Sequence, residues 1–556
     1  MDTIRDLVRQ RIEAALDAAF ASGALTTPEE AIVVPEIEIA RPQQVEHGDF
    51  STNLALKLAK PLGKAPRNVA AALVAAVNAG PDDAFISRAE SAGPGFVNVW
   101  LTPGHVEQSV DAIRASGSEY GRSQTESPEK INVEFVSANP TGPLTVGNAR
   151  GAFVGDLLCR VLEAVGHEIT REYYFNDAGT QVELLGQSVL AVRNGQEVAQ
   201  DGYHGDYVKG LAESLPEEIE GRALEEPALA GWIVGEWASE RIRSGIEASL
   251  ERLGVHFDVW TSEQPLVDDG WVARGVEKLR AAGHVYEQDG ALWFNSTAFG
   301  DDKDRVIFRS NSEPTYFAKD IGYLVHKFER SYDELLYLWG ADHHGTIARL
   351  KNAAEALGYG RDRANVLLIA WVRFVRDGEE VSMSKRSGEF VTLDELLEEV
   401  GVDAARWFFA SRAPSTGIDF DIELARKQSA ENPVYYVQYA HARISSILRR
   451  ASAEGLAAAD SLAGESAGDE VALGLAKELL QLPDIVRDAA AARETQAITT
   501  YATELATAFH AFYRDRRVVD PADPRTSAAR LALVDATRVT LASALGLLGI
   551  SAPDSM

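Results

Sequence analysis

Residues 131–175, INVEFVSANPTGPLTVGNARGAFVGDLLCRVLEAVGHEITREYYF, decide the fold. INVEFV (131–136) is a short apolar run of the kind that forms a strand. The Pro/Gly-rich turn NPTGPLTVGN (139–148) follows. VGNARGAFVGDLLCRVLEAVG then carries helical spacing, with small residues at its start. HEITREYYF (167–175) is β-rich again. Strand, glycine-bearing turn, helix and strand make a parallel crossover unit of Rossmann type. The pattern resumes with ELLYLWG (334–340), a helix after GADHHG, and NVLLIAW (365–371). The acidic, mixed stretch of roughly 180–300 reads as an insertion between two halves of that sheet.

On the N-terminal side, residues 3–22 carry an apolar helical face closed by Gly23. VPEIEIA (34–40) alternates as a half-buried strand, 67–79 reads as a helix, and FVNVWL (96–101) as a strand. The polar run SGSEYGRSQTESPEK (116–130) marks a boundary. On the C-terminal side the spacing predicts helices over 433–452, 473–494, 496–516 and 525–549, with an Ala/Ser/Gly/acidic connector at 453–472. The expected fold class is therefore α/β. A Rossmann-type parallel-sheet domain (126–431) follows an N-terminal α+β domain (1–125) and precedes an all-α helical bundle (432–556).

The chain has 556 residues, 46% hydrophobic and 25% charged, which suits about three globular domains. A single cysteine, Cys159, permits no internal disulfide, multi-cysteine zinc site or iron–sulfur cluster. No apolar run reaches a membrane-spanning length, and the acid-bearing N-terminus lacks a signal-peptide core, so a cytoplasmic protein is expected. The net charge of −30 repels polyanions on average, and any nucleic-acid contact must come from local basic patches.

Two elements can carry chemistry together. In Thr145-Val146-Gly147-Asn148 a helix start presents free N–H groups and positive potential, which suits phosphate, and Gly147 admits a flat ring or a phosphate. Met383-Ser384-Lys385-Arg386-Ser387-Gly388 places hydroxyls and two cations on one loop able to grip a polyphosphate. One lies early in the split sheet and the other just after its last strand, so both can face the crevice at the strand C-termini.

These two elements resemble the HIGH and KMSKS signatures of class I aminoacyl-tRNA synthetases. VEFVSANPTGPL, REYYFNDAGTQ, PTYFAKDIGY, GADHHG and ENPVYYVQYAHARI, in that order, resemble the bacterial arginyl-tRNA synthetase family across essentially the whole chain. One departure stands out: Thr145 and Asn148 occupy positions where the family usually has histidines. Both keep a neutral donor, which points to an active site. The alternative is a tRNA-binding or regulatory paralogue that has lost adenylation.

The resemblance implies a ligase using ATP with Mg²⁺, without a tightly bound cofactor or a resident metal. The arginine carboxylate attacks the α-phosphorus, and the adenylate then passes arginine to the terminal ribose of tRNA. It assigns catalysis to Thr145, Asn148 and Lys385, and ATP binding to Gly147, Asp342, Met383, Ser384, Lys385 and Arg386. Arginine would be held by Glu134, Ser137, Asn139, Tyr316 and Asp320, because a guanidinium fork needs carboxylates and planar acceptors. On pattern alone Glu134 can equally be a solvent-facing strand carboxylate. The tRNA would meet Phe96 and Asn98 in the N-terminal domain, and Tyr435, Tyr439 and Arg443 in the C-terminal domain. There Tyr436 and His441, with Arg449, Arg450, Arg514, Arg516 and Arg517, add the mix of aromatics and cations that RNA loops favour. VDATR (534–538) resembles the DALR element. The expected partners are tRNA, arginine and ATP, with neither DNA nor membrane, and the expected state is a monomer.

Overall fold

The computed structural model describes residues 3–26, 32–80, 85–177, 179–380, 392–462, 464 and 469–556. Its centre is a five-stranded parallel sheet. The spatial order is Ala364–Ile369, Glu334–Gly340, Lys130–Glu134, Glu168–Phe175 and Val259–Ser262. Lys130–Glu134 lies in the middle and is covered on both faces, as parallel sheets require. Ile131, Val133 and Phe135 are fully buried in the main core, on the face covered by the helix Val146–Ala164. Asn132 and Glu134 point the other way, toward the helix Tyr316–Phe328.

Gly155 sets how closely the Val146–Ala164 helix approaches the sheet. A Cβ there would lie 2.3 Å from the buried Phe135 ring. Cys159, on the same helix, is buried and unpaired.

The stretch expected to be inserted material is only partly so. Four helices, from Thr180–Arg193 to Ala230–Arg252, do form an excursion. The first and last pack backbone to backbone, since a Cβ on Gly235 would stand 2.0 Å from the Val182 carbonyl oxygen. Val259–Ser262, however, completes the central sheet beside Glu168–Phe175. Four residues are too short a run to show a period, so nothing in the sequence pattern marks this strand. A small antiparallel sheet (Val285–Gln288, Ala291–Phe294, Arg305–Phe308) then leads into the helix Tyr316–Phe328.

The N-terminal unit packs the helices Ile4–Ala21 and Pro66–Asn78 with a three-stranded antiparallel sheet of Phe50–Thr52, Phe96–Leu101 and Ile86–Ala92, and the next helix, Pro103–Ser116, packs on the C-terminal helices Glu470–Leu479 and Pro524–Leu547. VPEIEIA is not a strand. Ile37 and Ile39 are buried as the alternation implies, but only Ala40 forms a bridge, to Ser51.

The C-terminal helices run Pro433–Ala453, Glu470–Leu479, Leu482–Ala492, Gln496–Asp515 and Pro524–Leu547. The helix expected over 473–494 is thus two, because Pro483 belongs in a first helical turn rather than an interior. Arg406 fastens this bundle to the catalytic unit. Its buried guanidinium donates to Asp156 Oδ2 (2.8 Å), to the carbonyls of Leu253 and Gly254, and to that of Leu548 (3.2 Å). The N-terminal helix is tied to the same bundle by Arg5 with Asp484 and Asp488, and by Asp6 with Arg487.

Gly155→Ala is expected to destabilise the fold by about 1–3 kcal/mol through overpacking against Phe135. Urea denaturation checks this against Gly151→Ala, where a Cβ has open space and the helix should gain up to about 1 kcal/mol.

Candidate active site

The helix Val146–Ala164 starts with Thr145 as N-cap (φ −97°, ψ 162°). Asn148 Oδ1 accepts from the Thr145 backbone N–H (3.0 Å) and from its hydroxyl (3.0 Å). A backbone N–H can only donate, so this fixes the amide with its oxygen inward. Thr145 therefore spends its hydroxyl proton inside the turn, and the Asn148 amide nitrogen has no protein partner among the described residues. Gly147 is exposed, with only Thr145 Oγ1 near a built Cβ, at 3.4 Å.

Thr392 forms a backbone bridge with Thr145, and the Leu393 N–H donates to the Leu144 carbonyl (2.9 Å). Met383, Ser384, Lys385 and Arg386 lie outside the described residues. The chain on their C-terminal side is nonetheless pinned to the helix start. Asp342 is exposed on the turn Ala341–Thr346, at the C-terminal end of a central strand, 3.6 Å from His343.

Directly after the central strand, Val136 (φ 68°) and Ser137 (φ 42°) take the left-handed conformation that non-glycine residues avoid. Such strain, on the order of 1–3 kcal/mol per residue, persists only where surroundings enforce it, and it clusters at functional sites. Here Tyr173 enforces it: its hydroxyl donates to the Ala138 carbonyl (2.9 Å) and accepts from the Ala138 N–H (3.0 Å). Ser137 Oγ donates to Glu134 Oε1 (3.2 Å) and accepts from the Tyr174 N–H (3.2 Å). Asn139 is exposed and donates to Gln181 (3.0 Å).

Glu134 is not a solvent-facing strand carboxylate. It is buried, and it accepts at 2.6 Å from Lys327, which is 0% exposed. Lys327 lies over the Tyr337 and Tyr323 rings, at 4.2 and 4.5 Å. Beside it, burial alone would raise the Glu172 carboxyl. Lys327, Arg330 and donors from Thr261 and Tyr323 bring it down to about 2 instead.

On the helix Tyr316–Phe328, Tyr316 and Asp320 both face outward. Burial, Glu134 and Glu263 push the Asp320 carboxyl up to about 7, against Arg349 and Lys319. Although Asp320 faces outward, its packed surroundings disfavour the charged form first, and the two neighbouring carboxylates add to that. Glu263 is a member of this cluster that sequence reasoning misses. It is buried at the end of Val259–Ser262 and accepts from Tyr174 and Lys319. A carboxylate at a strand C-terminus is the one available signal, and it is hidden with the strand itself.

Two further surfaces carry the remaining expected residues. Tyr435 and Tyr439 stack at 6.3 Å with an 8° interplanar angle, and Arg443 lies 4.6 Å over Tyr513 and 5.8 Å from Tyr439. His510 completes this platform, and burial followed by Arg443 lowers it to about 4, so it is neutral near pH 7. His441 does not join it. That side chain is buried, with Nδ1 against the Pro553 carbonyl. Arg514, Arg516 and Arg517 are paired with Asp515, Asp469 and Asp520. In the N-terminal unit, Phe96 (39% exposed) and Asn98 line a cleft of about 750 Å³. Asn98 is largely buried in its wall and accepts from Ser51 Oγ (2.8 Å), so it offers less to a ligand than expected.

Among the described residues no group of three His, Cys, Asp or Glu could hold a metal ion, and no helix is long and apolar enough to cross a membrane.

Comparison with known proteins shows the family to which the chain belongs. Family models for an arginyl tRNA synthetase N-terminal domain, a class I (R) tRNA synthetase catalytic domain and a DALR anticodon-binding domain match residues 3–101, 109–208 with 236–415, and 437–556. The chain is similar to the arginine–tRNA ligases of Bacillus licheniformis (43% identity) and Moorella thermoacetica (45%), with 100% of each chain covered. Its fold is similar to that of the Thermus thermophilus arginyl-tRNA synthetase structure, with a TM-score of 0.75 at 24% identity over 99% of this chain and 100% of that one.

Lys327→Met is expected to cost about 3–5 kcal/mol, because it strands a buried carboxylate. The double variant Lys327→Met/Glu134→Gln should recover most of that loss. Denaturant midpoints of the two proteins check it.

Proposed function

The chain belongs to the arginyl-tRNA synthetase family and is an arginine–tRNA ligase, and on that premise we propose how its residues divide the work. The observation that carries the proposal is a juxtaposition. A capped helix start, bridged to Thr392, and a carboxylate cluster of Glu134, Glu263 and Asp320 both sit at the C-terminal edge of one parallel sheet. That edge is where open α/β sheets bind ligands.

The first step is an in-line displacement at the α-phosphorus of ATP, in which protein groups supply position and charge. ATP would enter as its Mg²⁺ complex. Gly147 leaves room for the nucleotide against the backbone, and Asn148 Nδ2 donates to phosphate. Thr145 acts chiefly through Asn148, because its own proton is committed to the turn. Asp342 flanks the nucleotide, while Lys385, with Met383, Ser384 and Arg386, holds the departing pyrophosphate. The second step hands the arginyl group to the terminal ribose of tRNA.

Glu134, Tyr316 and Asp320 receive the arginine side chain, with Glu263 as a fourth wall, and Ser137 and Asn139 orient the amino-acid end. A carboxylate cluster that must be filled by a planar fork leaves groups unpaired when ornithine, citrulline or lysine enters. Tyr435, Tyr439 and Arg443 stack and clamp unpaired anticodon bases, and the N-terminal cleft takes a nucleotide of the D-loop. We place the enzyme in the cytoplasm, as a monomer that needs no second copy to complete these sites. The Bacillus and Moorella relatives are both ligases, and neither favours a non-adenylating paralogue. Charging of total tRNA with labelled arginine tests the overall reading.

Two outcomes test the division of roles. Asp320 must be ionised to meet a guanidinium, and its folded value is raised to about 7. Arginine should therefore bind more tightly as pH rises, with an apparent Kd about tenfold lower at pH 8 than at pH 6 and a plateau above. Calorimetry across that range checks it, and Asp320→Asn should abolish the dependence. Asn148→Ala should cost about 2–4 kcal/mol of transition-state stabilisation, mostly in kcat, and Thr145→Val less. Thr145→His/Asn148→His should stay within about tenfold of the parent, or ~1.4 kcal/mol. Adenylation rates with saturating tRNA rank the four proteins.

A further inference from the structure

Three cationic side chains are buried among the described residues: Lys327, Arg406 and Arg150. Lys327 holds Glu134 and Arg406 holds Asp156, each at hydrogen-bond distance. Arg150, 0% exposed, has no carboxylate partner among the described residues. Its Nη1 donates to the Ala370 carbonyl (2.9 Å) and its Nη2 to that of Ala413 (2.8 Å), while Nε is buried without a partner. Carbonyl dipoles take up hydrogens but carry no net charge, so this guanidinium is bonded without being neutralised. Burial lowers it only to about 10, and it is a standing cation at neutral pH.

A buried charge left without a counter-charge is costly, and its place in the fold supplies a reason for it. Arg150 lies five residues past the Thr145 cap, about 7.5 Å along the axis of the helix that begins there. Helical side chains lean back toward the N-terminus, which brings the guanidinium under the first turn. Ala370 marks the position independently, since it directly follows the strand Ala364–Ile369 at the C-terminal edge of the central sheet. The charge thus sits beneath the exposed turn to which the nucleotide's phosphates are assigned. A buried charge is little screened by water or salt, so it acts over a distance at which a surface lysine does not.

We propose that Arg150 is a positioning residue that draws the triphosphate of ATP to the helix start through its charge, without touching it. The phosphates supply the anion that the fold withholds from this cation. The attraction adds to that of the helix N–H groups and grows with each phosphate the nucleotide carries. This inference rests on the reading that the Thr145–Asn148 turn receives phosphate. The rival role is structural, because Arg150 also staples the root of the segment that leads through Val372–Arg376 toward Lys385.

Calorimetric Kd values for adenosine, AMP, ADP and ATP separate the two roles, with Mg²⁺ chelated so that charge rises with every phosphate. The parent should bind more tightly along that series. Arg150→Met and Arg150→Gln, both uncharged, should weaken ATP binding by about tenfold and leave adenosine within about twofold. Arg150→Lys, which keeps the charge with fewer donors, should recover most of the ATP affinity. Melting temperatures identify a misfolded variant, and the glutamine, which retains a donor for one carbonyl, keeps the test valid if the methionine variant unfolds. Equal losses for adenosine and ATP, or a lysine variant as weak on ATP as the neutral ones, would assign Arg150 a structural role and overturn the proposal. So would ATP binding that is unchanged in both neutral variants. If the parent binds adenosine and ATP alike, and Asn148→Ala changes neither, the phosphate reading of the turn itself fails, a result distinct from the others.

Discussion

The Lys327–Glu134 ion pair, sealed between the central strand and the helix behind it, is the constraint from which the active site is built. A carboxylate this deep survives as an anion only with a cation at hydrogen-bond distance. Once held, Glu134 accepts the Ser137 hydroxyl, and Ser137 in turn accepts the Tyr174 N–H. The left-handed turn at Val136 and Ser137 is the backbone's answer to those demands, together with the clamp from Tyr173. The pair therefore fixes the strand end and the turn after it rather than adding much net stability.

Around it the charges alternate. Lys319 serves Glu263, Lys327 serves Glu134, and Arg330 serves Glu172. Among the described residues Asp320 lacks such a servant at hydrogen-bond distance, and it is the carboxyl driven upward. Under the proposed division of roles it is the group with most to gain from a guanidinium.

The long periodic elements are legible in the residue pattern itself. ELLYLWG occupies the strand that its apolar run implies, and INVEFV, HEITREYYF and the helix after the TVGN turn fall within a few residues of their expected bounds. What escapes has physical causes. Val259–Ser262 is too short for a period, and Glu263 is lost with it. VPEIEIA alternates because it crosses a core edge in extended form, and alternation does not reveal whether a partner strand is present. Glu134 reads ambiguously because its partner lies 193 positions away. Asn98 and His441 are polar residues spent inside the fold, a fate that residue type alone cannot announce.

Arg406 and Arg5 bear on the order in which the molecule is made. Arg5 meets Asp484 across 479 positions, and Arg406 meets the Leu548 carbonyl across 142. At roughly 5–20 residues per second, the first helix leaves the ribosome about 24–96 seconds before its partner acids exist. During that interval its docking face is unpaired, and the buried guanidinium of Arg406 lacks one acceptor until the last helix is complete. The final architecture closes only once the helix Pro524–Leu547 is in place. Truncations near the C-terminus should thus be felt at the first helix and at the centre alike.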